Sequence, residues 1–233
     1  MQTNDFDYGF PIRIIDDYFT QQELYSISKE LDELHNSDQL VYPNENNKWM
    51  DDPQKVKSVG LDTLYEGKRT ESAILQCTRK ILSGGGSLLK SSKSFYFRDF
   101  ECDRDTTIAS LYKDGDQWNT HKDASIVTAI MFLYDDPKTF TGGELIFPDY
   151  EVGVETISNR IVLFPSFVAH EITPLIMEKG RGMWTFTQYL SINEFVKQSY
   201  QNNVEIGGNA GTFKYNVPTE YKLGEGNAEA SYK

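Results

Sequence analysis

Three side chains of this sequence have the types and the spacing needed to hold a divalent metal ion. His121 and Asp123 are one residue apart, and on an extended chain residues i and i+2 point to the same face, so their side chains converge. His170 follows much later, on another predicted strand. Two imidazoles and one carboxylate on one face of an octahedral metal leave three positions open, the arrangement of non-haem iron oxygenases, whereas zinc more usually takes tetrahedral ligation.

Each part of this set also has an ordinary interpretation. His121 and Asp123 alone form a short pattern that also occurs at the beginning of a surface strand. His170, between Ala169 and Glu171, fits a hydrogen-bonded histidine of the core. The third histidine of the chain, His35, ends a predicted helix, where exposure and the helix dipole favour it.

A cationic side chain follows the second histidine. Arg181 stands at the start of the next predicted strand, and Met183, Thr185 and Thr187 would share its face. A guanidinium there could hold a dicarboxylate end-on through a bidentate pair, with the Thr185 hydroxyl further along the same face. The alternative is a solvated cation at the end of a strand.

The hydrophobic pattern predicts the elements that position these residues. A strand over Pro11–Phe19 precedes a helix that starts at Thr20, where Glu23 completes a capping box. A second helix is predicted over Thr70–Leu82. The remaining strands are predicted at Lys93–Phe100, Thr106–Tyr112, Ile126–Tyr134, Gly143–Phe147, Arg160–Phe164, Ala169–Pro174 and Met183–Ile192. This order predicts a mainly β fold with packed helices, a sandwich or barrel.

Two polar segments lie outside these elements. Residues 36–60 are predicted to form a long loop. Its part around Asn44–Lys57, where Trp49 and Met50 supply apolar contacts, is either a lid or groove wall or a solvated loop. Residues 195–233 are rich in Asn and Gly and are predicted to be a partly flexible extension. We therefore expect one domain over residues 1–194.

The charge balance excludes several classes of partner. Lys and Arg number 23 against 35 Asp and Glu, a net charge of -12, so phosphate backbones and anionic lipids should be repelled. No apolar run is long enough for a membrane span, and the N-terminus lacks the pattern of a secretory signal. The two cysteines, Cys77 and Cys102, make no disulfide framework, and we expect a cytoplasmic location.

Five ordered motifs resemble those of the prolyl 4-hydroxylase-like family of Fe(II)- and 2-oxoglutarate-dependent dioxygenases. They span about residues 10–193. The motifs are Ile14–Phe19, Tyr112–Asp123 with its His-x-Asp ending, Thr141–Leu145 followed by Phe147-Pro148, Asn159–Pro165 before His170, and Thr173–Leu175 followed by Gly180-Arg181.

The resemblance implies a double-stranded β-helix (jelly-roll) core with N-terminal helices, Fe(II), 2-oxoglutarate as co-substrate, O2 as oxidant and ascorbate as reductant. It makes His121, Asp123 and His170 the iron ligands. Arg181 would pair with the distal carboxylate of 2-oxoglutarate, and Tyr112 and Thr185 would offer hydroxyls to the same molecule. Gly142 and Gly143 would serve a tight turn that needs a positive φ.

The sequence departs from the family pattern at three positions. Thr187 stands where many relatives carry Trp, Trp118 stands where Tyr is common, and Asn159 replaces a Gly in a turn that Asn tolerates. These changes bear on the walls of the pocket.

The implied reaction is hydroxylation of a C–H bond with release of succinate and CO2, on a prolyl residue of a peptide or protein. The net charge then favours a neutral or basic peptide. Two alternatives stay open: a free amino acid or other small molecule as substrate on the same iron site, and an inactive jelly-roll binding module. A nucleic-acid demethylase is disfavoured by the charge.

Overall fold

Strands with almost no exposed residues form the centre of a seven-stranded antiparallel sheet. β-Branched and aromatic residues fill these strands, which suits burial of both faces. The computed structural model describes residues 1–42, 56–82 and 88–192. The order across the sheet is β1-β2-β9-β6-β11-β4-β3. These strands are β1 (Gln2–Asp7), β2 (Pro11–Asp16), β3 (Lys57–Gly60), β4 (Arg104–Tyr112), β6 (Val127–Leu133), β9 (Arg160–Pro165) and β11 (Met183–Ser191).

A smaller antiparallel sheet of four short strands faces the first. Its order is β5-β10-β7-β8. Two apolar clusters show how the layers pack: one joins the two sheets, and the other joins the large sheet to the helices. The four strands are β5 (Trp118–His121), β7 (Leu145–Phe147), β8 (Val152–Val154) and β10 (His170–Ile172).

The longest helix, α1 (Gln21–His35), packs its apolar stripe on the outer face of the large sheet. The predicted capping box is present: the Glu23 amide donates to the Thr20 hydroxyl, and the Thr20 amide donates to the Glu23 carboxylate. The shorter helices are α2 (Leu61–Leu64), α3 (Ala73–Thr78) and α4 (Phe95–Arg98), with 3-10 turns at Arg69–Glu71, Arg79–Leu82 and Pro148–Tyr150.

The expected class, mainly β with packed helices, is confirmed. The strand predicted over Lys93–Phe100 is wrong, because Ser94 caps a turn of helix, α4, in which only Phe97 is buried. The helix predicted over Thr70–Leu82 is broken into α3 and two flanking 3-10 turns. Residues 57–60 of the predicted loop form β3, paired with β4.

Other predictions fall outside the described residues, including Trp49, Met50 and the extension at 195–233. Within the described part of the chain, no helix is both long and apolar enough to span a membrane. Both predicted turn glycines do have a positive φ, 74° at Gly142 and 75° at Gly143. A Cβ at Gly142 would lie 2.0 Å from the Pro174 carbonyl oxygen, so the turn also needs the close approach that glycine allows.

Candidate metal centre

The two histidines of the predicted ligand set are direct partners across neighbouring strands. His170 opens β10 and pairs with His121, the last residue of β5, and their ring centroids are 4.2 Å apart. Asp123 follows His121 by two residues, beyond the strand end. One ligand atom from each of the three side chains lies within 4.8 Å of the others. The structure therefore brings together the three residues expected from the sequence.

The carboxylate of Asp123 lies between the two imidazoles in a dry environment. Its Oδ1 is 3.4 Å from His121 Nε2, and its Oδ2 is 3.4 Å from His170 Nε2. Asp123 is 0% exposed and His170 1%. Oδ1 has no hydrogen-bond partner among the described residues. Because a buried carboxylate oxygen without a partner is costly, this atom is suited to face a cation.

Backbone carbonyls orient both imidazoles. Nδ1 of His121 lies 2.8 Å from the Asn119 carbonyl oxygen, and Nδ1 of His170 lies 3.0 Å from that of Val168. A carbonyl can only accept, so each Nδ1 carries the proton and donates it. Each Nε2 then keeps its lone pair directed at the site, which is the tautomer that a metal-binding histidine needs.

Electrostatics favour the protonation states of metal ligands. Burial disfavours the charged form of His170, and His121 adds to this effect, so the pKa of His170 falls to about 4. Burial alone would raise the pKa of Asp123, but the imidazoles of His170 and His121 and the Thr128 hydroxyl outweigh it and hold that pKa below its ordinary value. A neutral His170 and an ionised Asp123 are the result near neutral pH.

A cavity between the sheets extends from the two histidines. Tyr112 and Thr185, both expected to bind a co-substrate, line it. Tyr112 is 2% exposed, and burial raises its pKa, so its hydroxyl stays protonated. The other lining residues are Ile108, Ser110, Trp118, His121, Ile130, His170, Ile172, Thr187 and Tyr189.

Arg181 lies apart from this cavity. The expectation that it shares a strand face with Thr185 is wrong, because β11 begins only at Met183. Gly180 and Gly182 both have a positive φ, 130° and 89°, so the backbone turns on either side of Arg181. Its half-exposed guanidinium forms an ion pair with Asp32 on α1, and its Nε lies 4.0 Å from Asp135.

Sequence reasoning missed several polar groups of the site. Thr128 donates a hydrogen bond to Asp123 Oδ2, and Ser166 lies beside it. Trp118, which the sequence did place in a wall of the pocket, lines the cavity, and its indole N–H is buried without a partner in the described part of the chain. The available signal was a threonine at the start of the apolar strand β6, where a hydroxyl needs a buried partner.

The donor set fits iron. Two imidazoles that direct Nε2 at the site and one carboxylate that offers a free oxygen are the ligands of a facial triad, which suits Fe(II) and leaves coordination positions for other molecules. The fit depends on Nε2 of His121, Nε2 of His170 and Oδ1 of Asp123.

Comparison with known proteins shows the fold. The sequence matches no model of a protein family, and it matches none of the curated proteins. A prolyl-4-hydroxylase from Pseudomonas putida has a TM-score of 0.53 at 18% identity, over 79% of this chain and 95% of that one. A prolyl hydroxylase from Trichoplax adhaerens, in complex with a peptide fragment of the hypoxia inducible factor oxygen degradation domain, has a TM-score of 0.60 at 15% identity, over 81% of this chain and 86% of that one. At these identities the likeness shows that the chain has the fold of prolyl hydroxylases.

Proposed function

We propose that this chain is an Fe(II)- and 2-oxoglutarate-dependent dioxygenase. It hydroxylates a C–H bond of a prolyl residue in a peptide or protein and releases succinate and CO2. The observation that carries the proposal is the convergence of His121, Asp123 and His170 beside a cavity between two sheets. The fold shared with prolyl hydroxylases supports it, as does the peptide bound to one of them. A double-stranded β-helix core and a cytoplasmic location belong to the same proposal.

The protein supplies the ligands and a dry site. His121 and His170 offer the lone pairs of Nε2, and Asp123 offers Oδ1, in surroundings where Asp123 and His170 have almost no contact with water. Iron supplies the oxidising chemistry when bound, with O2 and 2-oxoglutarate as reactants and ascorbate as reductant. The exclusion of water strengthens each of these contacts.

In this proposal the co-substrate is held by neutral donors that line the cavity and by one cation from outside it. Tyr112 and Thr185 line the cavity and offer hydroxyls to it. Among the described residues, none that line the cavity is Lys or Arg. Arg181 is the proposed partner of the distal carboxylate, and to reach it the guanidinium must exchange Asp32 for the co-substrate.

The protein carries a net charge of -12, which favours a neutral or basic peptide as the substrate. A charged peptide is attracted or repelled before it makes contact, so its charge should change the rate of association. This effect should become smaller as salt screens the charges.

The test is succinate formation with Fe(II), 2-oxoglutarate and a panel of proline-containing peptides. Each peptide is paired with a control in which alanine replaces the proline, and free proline is included. Succinate coupled to a mass gain of one oxygen, seen only with the proline member of a pair, is the expected result. Turnover of free proline alone would assign a small-molecule substrate. No turnover, together with no binding of Fe(II) or 2-oxoglutarate, would contradict the proposal that the chain is an enzyme.

A further inference from the structure

A line of three buried hydroxyls ends on the Asp123 carboxylate. Thr128 Oγ1 lies 2.6 Å from Asp123 Oδ2 and 2.9 Å from Ser166 Oγ, and Ser166 Oγ lies 2.6 Å from Ser125 Oγ. Thr128 and Ser166 are 0% exposed and Ser125 is 6% exposed. Hydroxyls this deeply buried are kept where their hydrogen bonds are made.

The carboxylate fixes the direction of every bond in this line. An ionised carboxylate only accepts, so the single hydroxyl proton of Thr128 goes to Asp123. Thr128 then has no proton left for Ser166, so the Ser166 hydroxyl donates to Thr128. By the same count, the Ser125 hydroxyl donates to Ser166. Bonds aligned in this way polarise one another, so the last donor, Thr128, is strengthened.

The line holds one carboxylate oxygen and leaves the other free. Oδ2 receives the Thr128 proton, whereas Oδ1 has no partner among the described residues. The backbone is held at the same place, because the Asp123 amide donates to the Ser166 carbonyl at 2.9 Å. Rotation of the carboxylate would break the Thr128 bond and leave a buried hydroxyl unsatisfied, at a cost in free energy.

We propose that Thr128 is a positioning residue, whose hydroxyl, backed by Ser166 and Ser125, turns the Asp123 carboxylate so that Oδ1 faces the metal. The inference rests on the proposed metal site, and it names a residue that the His-x-Asp pattern does not contain. Thr128 does not touch the metal; it acts through Asp123.

The test compares two substitutions of the same shape. Thr128→Val removes the hydroxyl that holds Asp123. Thr107→Val is the matched control, because Thr107 is also a fully buried strand residue but its hydroxyl oxygen has no partner in the described part of the chain. Dissociation constants for Mn(II) and Co(II), which replace iron without turnover, are measured by titration, and the visible spectrum of bound Co(II) reports the geometry of its ligands.

Thr128→Val should weaken metal binding by roughly 10-fold to 100-fold, the usual effect of losing a partner that holds a ligand. It should also change the Co(II) spectrum, while Thr107→Val leaves both unchanged. Thr128→Ser keeps the hydroxyl and should restore affinity and spectrum. Unchanged affinity and spectrum in a folded Thr128→Val would overturn the proposal. No metal binding by the wild-type protein would instead overturn the proposed function.

A second variant covers the case in which Thr128→Val does not fold. Ser166→Ala leaves the bond from Thr128 to Asp123 but removes the donor behind it. Ser166→Ala should weaken metal binding by a smaller factor than Thr128→Val, and it should also shift the Co(II) spectrum. If Ser166→Ala matches the wild type while Thr128→Val is unfolded, the hydroxyl line is structural and the proposal is wrong.

Discussion

His170 and His121 are register partners in the small sheet, β10 against β5, and the pairing becomes irregular immediately afterwards, between His170 and Ile172. This pairing brings together two histidines that are far apart in the sequence. Nε2 of each ring, the atom not engaged by a backbone carbonyl, lies 3.4 Å from an oxygen of Asp123. The candidate metal centre thus depends on the register of two short strands.

Replacing either histidine should abolish tight metal binding. His121→Ala and His170→Ala each remove one of the three ligands, so affinity should fall by more than the roughly 10-fold to 100-fold expected from loss of an outer-shell partner. Titration with Mn(II) measures it. His35→Ala is the control, because His35 is exposed at the end of α1. Equal affinity of all three variants and the wild type for Mn(II) would contradict the proposed metal site.

Arg181 should affect the co-substrate but not the metal. If its guanidinium exchanges Asp32 for the distal carboxylate, Arg181→Ala loses charge-assisted hydrogen bonds and weakens 2-oxoglutarate binding by about 1.5–3 kcal/mol, while Mn(II) affinity is unchanged. Asp32→Asn removes the competing carboxylate and should strengthen binding, by less than about 1 kcal/mol because the ion pair is half exposed. Calorimetry on the Mn(II) protein measures both. Unchanged affinity in Arg181→Ala would refute the assignment.

The Tyr112 hydroxyl should contribute to co-substrate binding as a neutral donor. Tyr112→Phe keeps the ring in the core and removes the hydroxyl, which should weaken 2-oxoglutarate binding by about 0.5–1.5 kcal/mol. The same calorimetric titration measures it. Tyr25→Phe is the control, since Tyr25 is 64% exposed on α1. Equal weakening in both variants would show that the effect does not come from the cavity.

Two of the three proposed metal ligands, His121 and Asp123, could be predicted from the sequence because their signal is local. The i, i+2 spacing of His121 and Asp123 needs only an extended chain to converge. The hydroxyl line could not be predicted in this way. It joins Thr128, at the beginning of β6, to Ser125 and Ser166 in two different connections, and only the packing of these segments shows which side chains meet.

Arg181 illustrates the opposite case, in which a local signal was present but was outweighed by the strand pattern. The period of two from Met183 to Thr187 extends naturally to Arg181, yet Gly180 and Gly182 flank it, and both have a positive φ. A Cβ at Gly182 would lie 2.2 Å from the Tyr112 carbonyl oxygen, so the chain needs glycine there. Such a position ends the strand, and alternation no longer determines where the preceding side chain points.

A buried ion pair between β1 and β2 should contribute to the acid stability of the fold. Arg13, on β2, is 2% exposed, and its Nη1 donates to both carboxylate oxygens of Asp5 on β1, at 2.7 and 2.8 Å. Asp5→Asn leaves this cation buried without its counterion, so the free energy of unfolding at neutral pH should fall by about 3–5 kcal/mol. Urea denaturation measures it, with Asp7→Asn, an exposed carboxylate of the same strand, as the control.

The difference in the free energy of unfolding between Asp5→Asn and the wild type should become smaller as the pH falls. Burial opposes ionisation of Asp5, but hydrogen bonds from the Lys93 amide, Arg13 and Ser92 outweigh it and lower its pKa from the ordinary 3.8. Because the folded pKa is the lower one, the stabilisation is complete above 3.8 and is lost as the pH falls through the folded pKa. The free energies of unfolding of the wild type and of Asp5→Asn, plotted against pH, should therefore converge below pH 3.8. A constant difference down to the folded pKa would mean that the charge of Asp5 does not stabilise the fold.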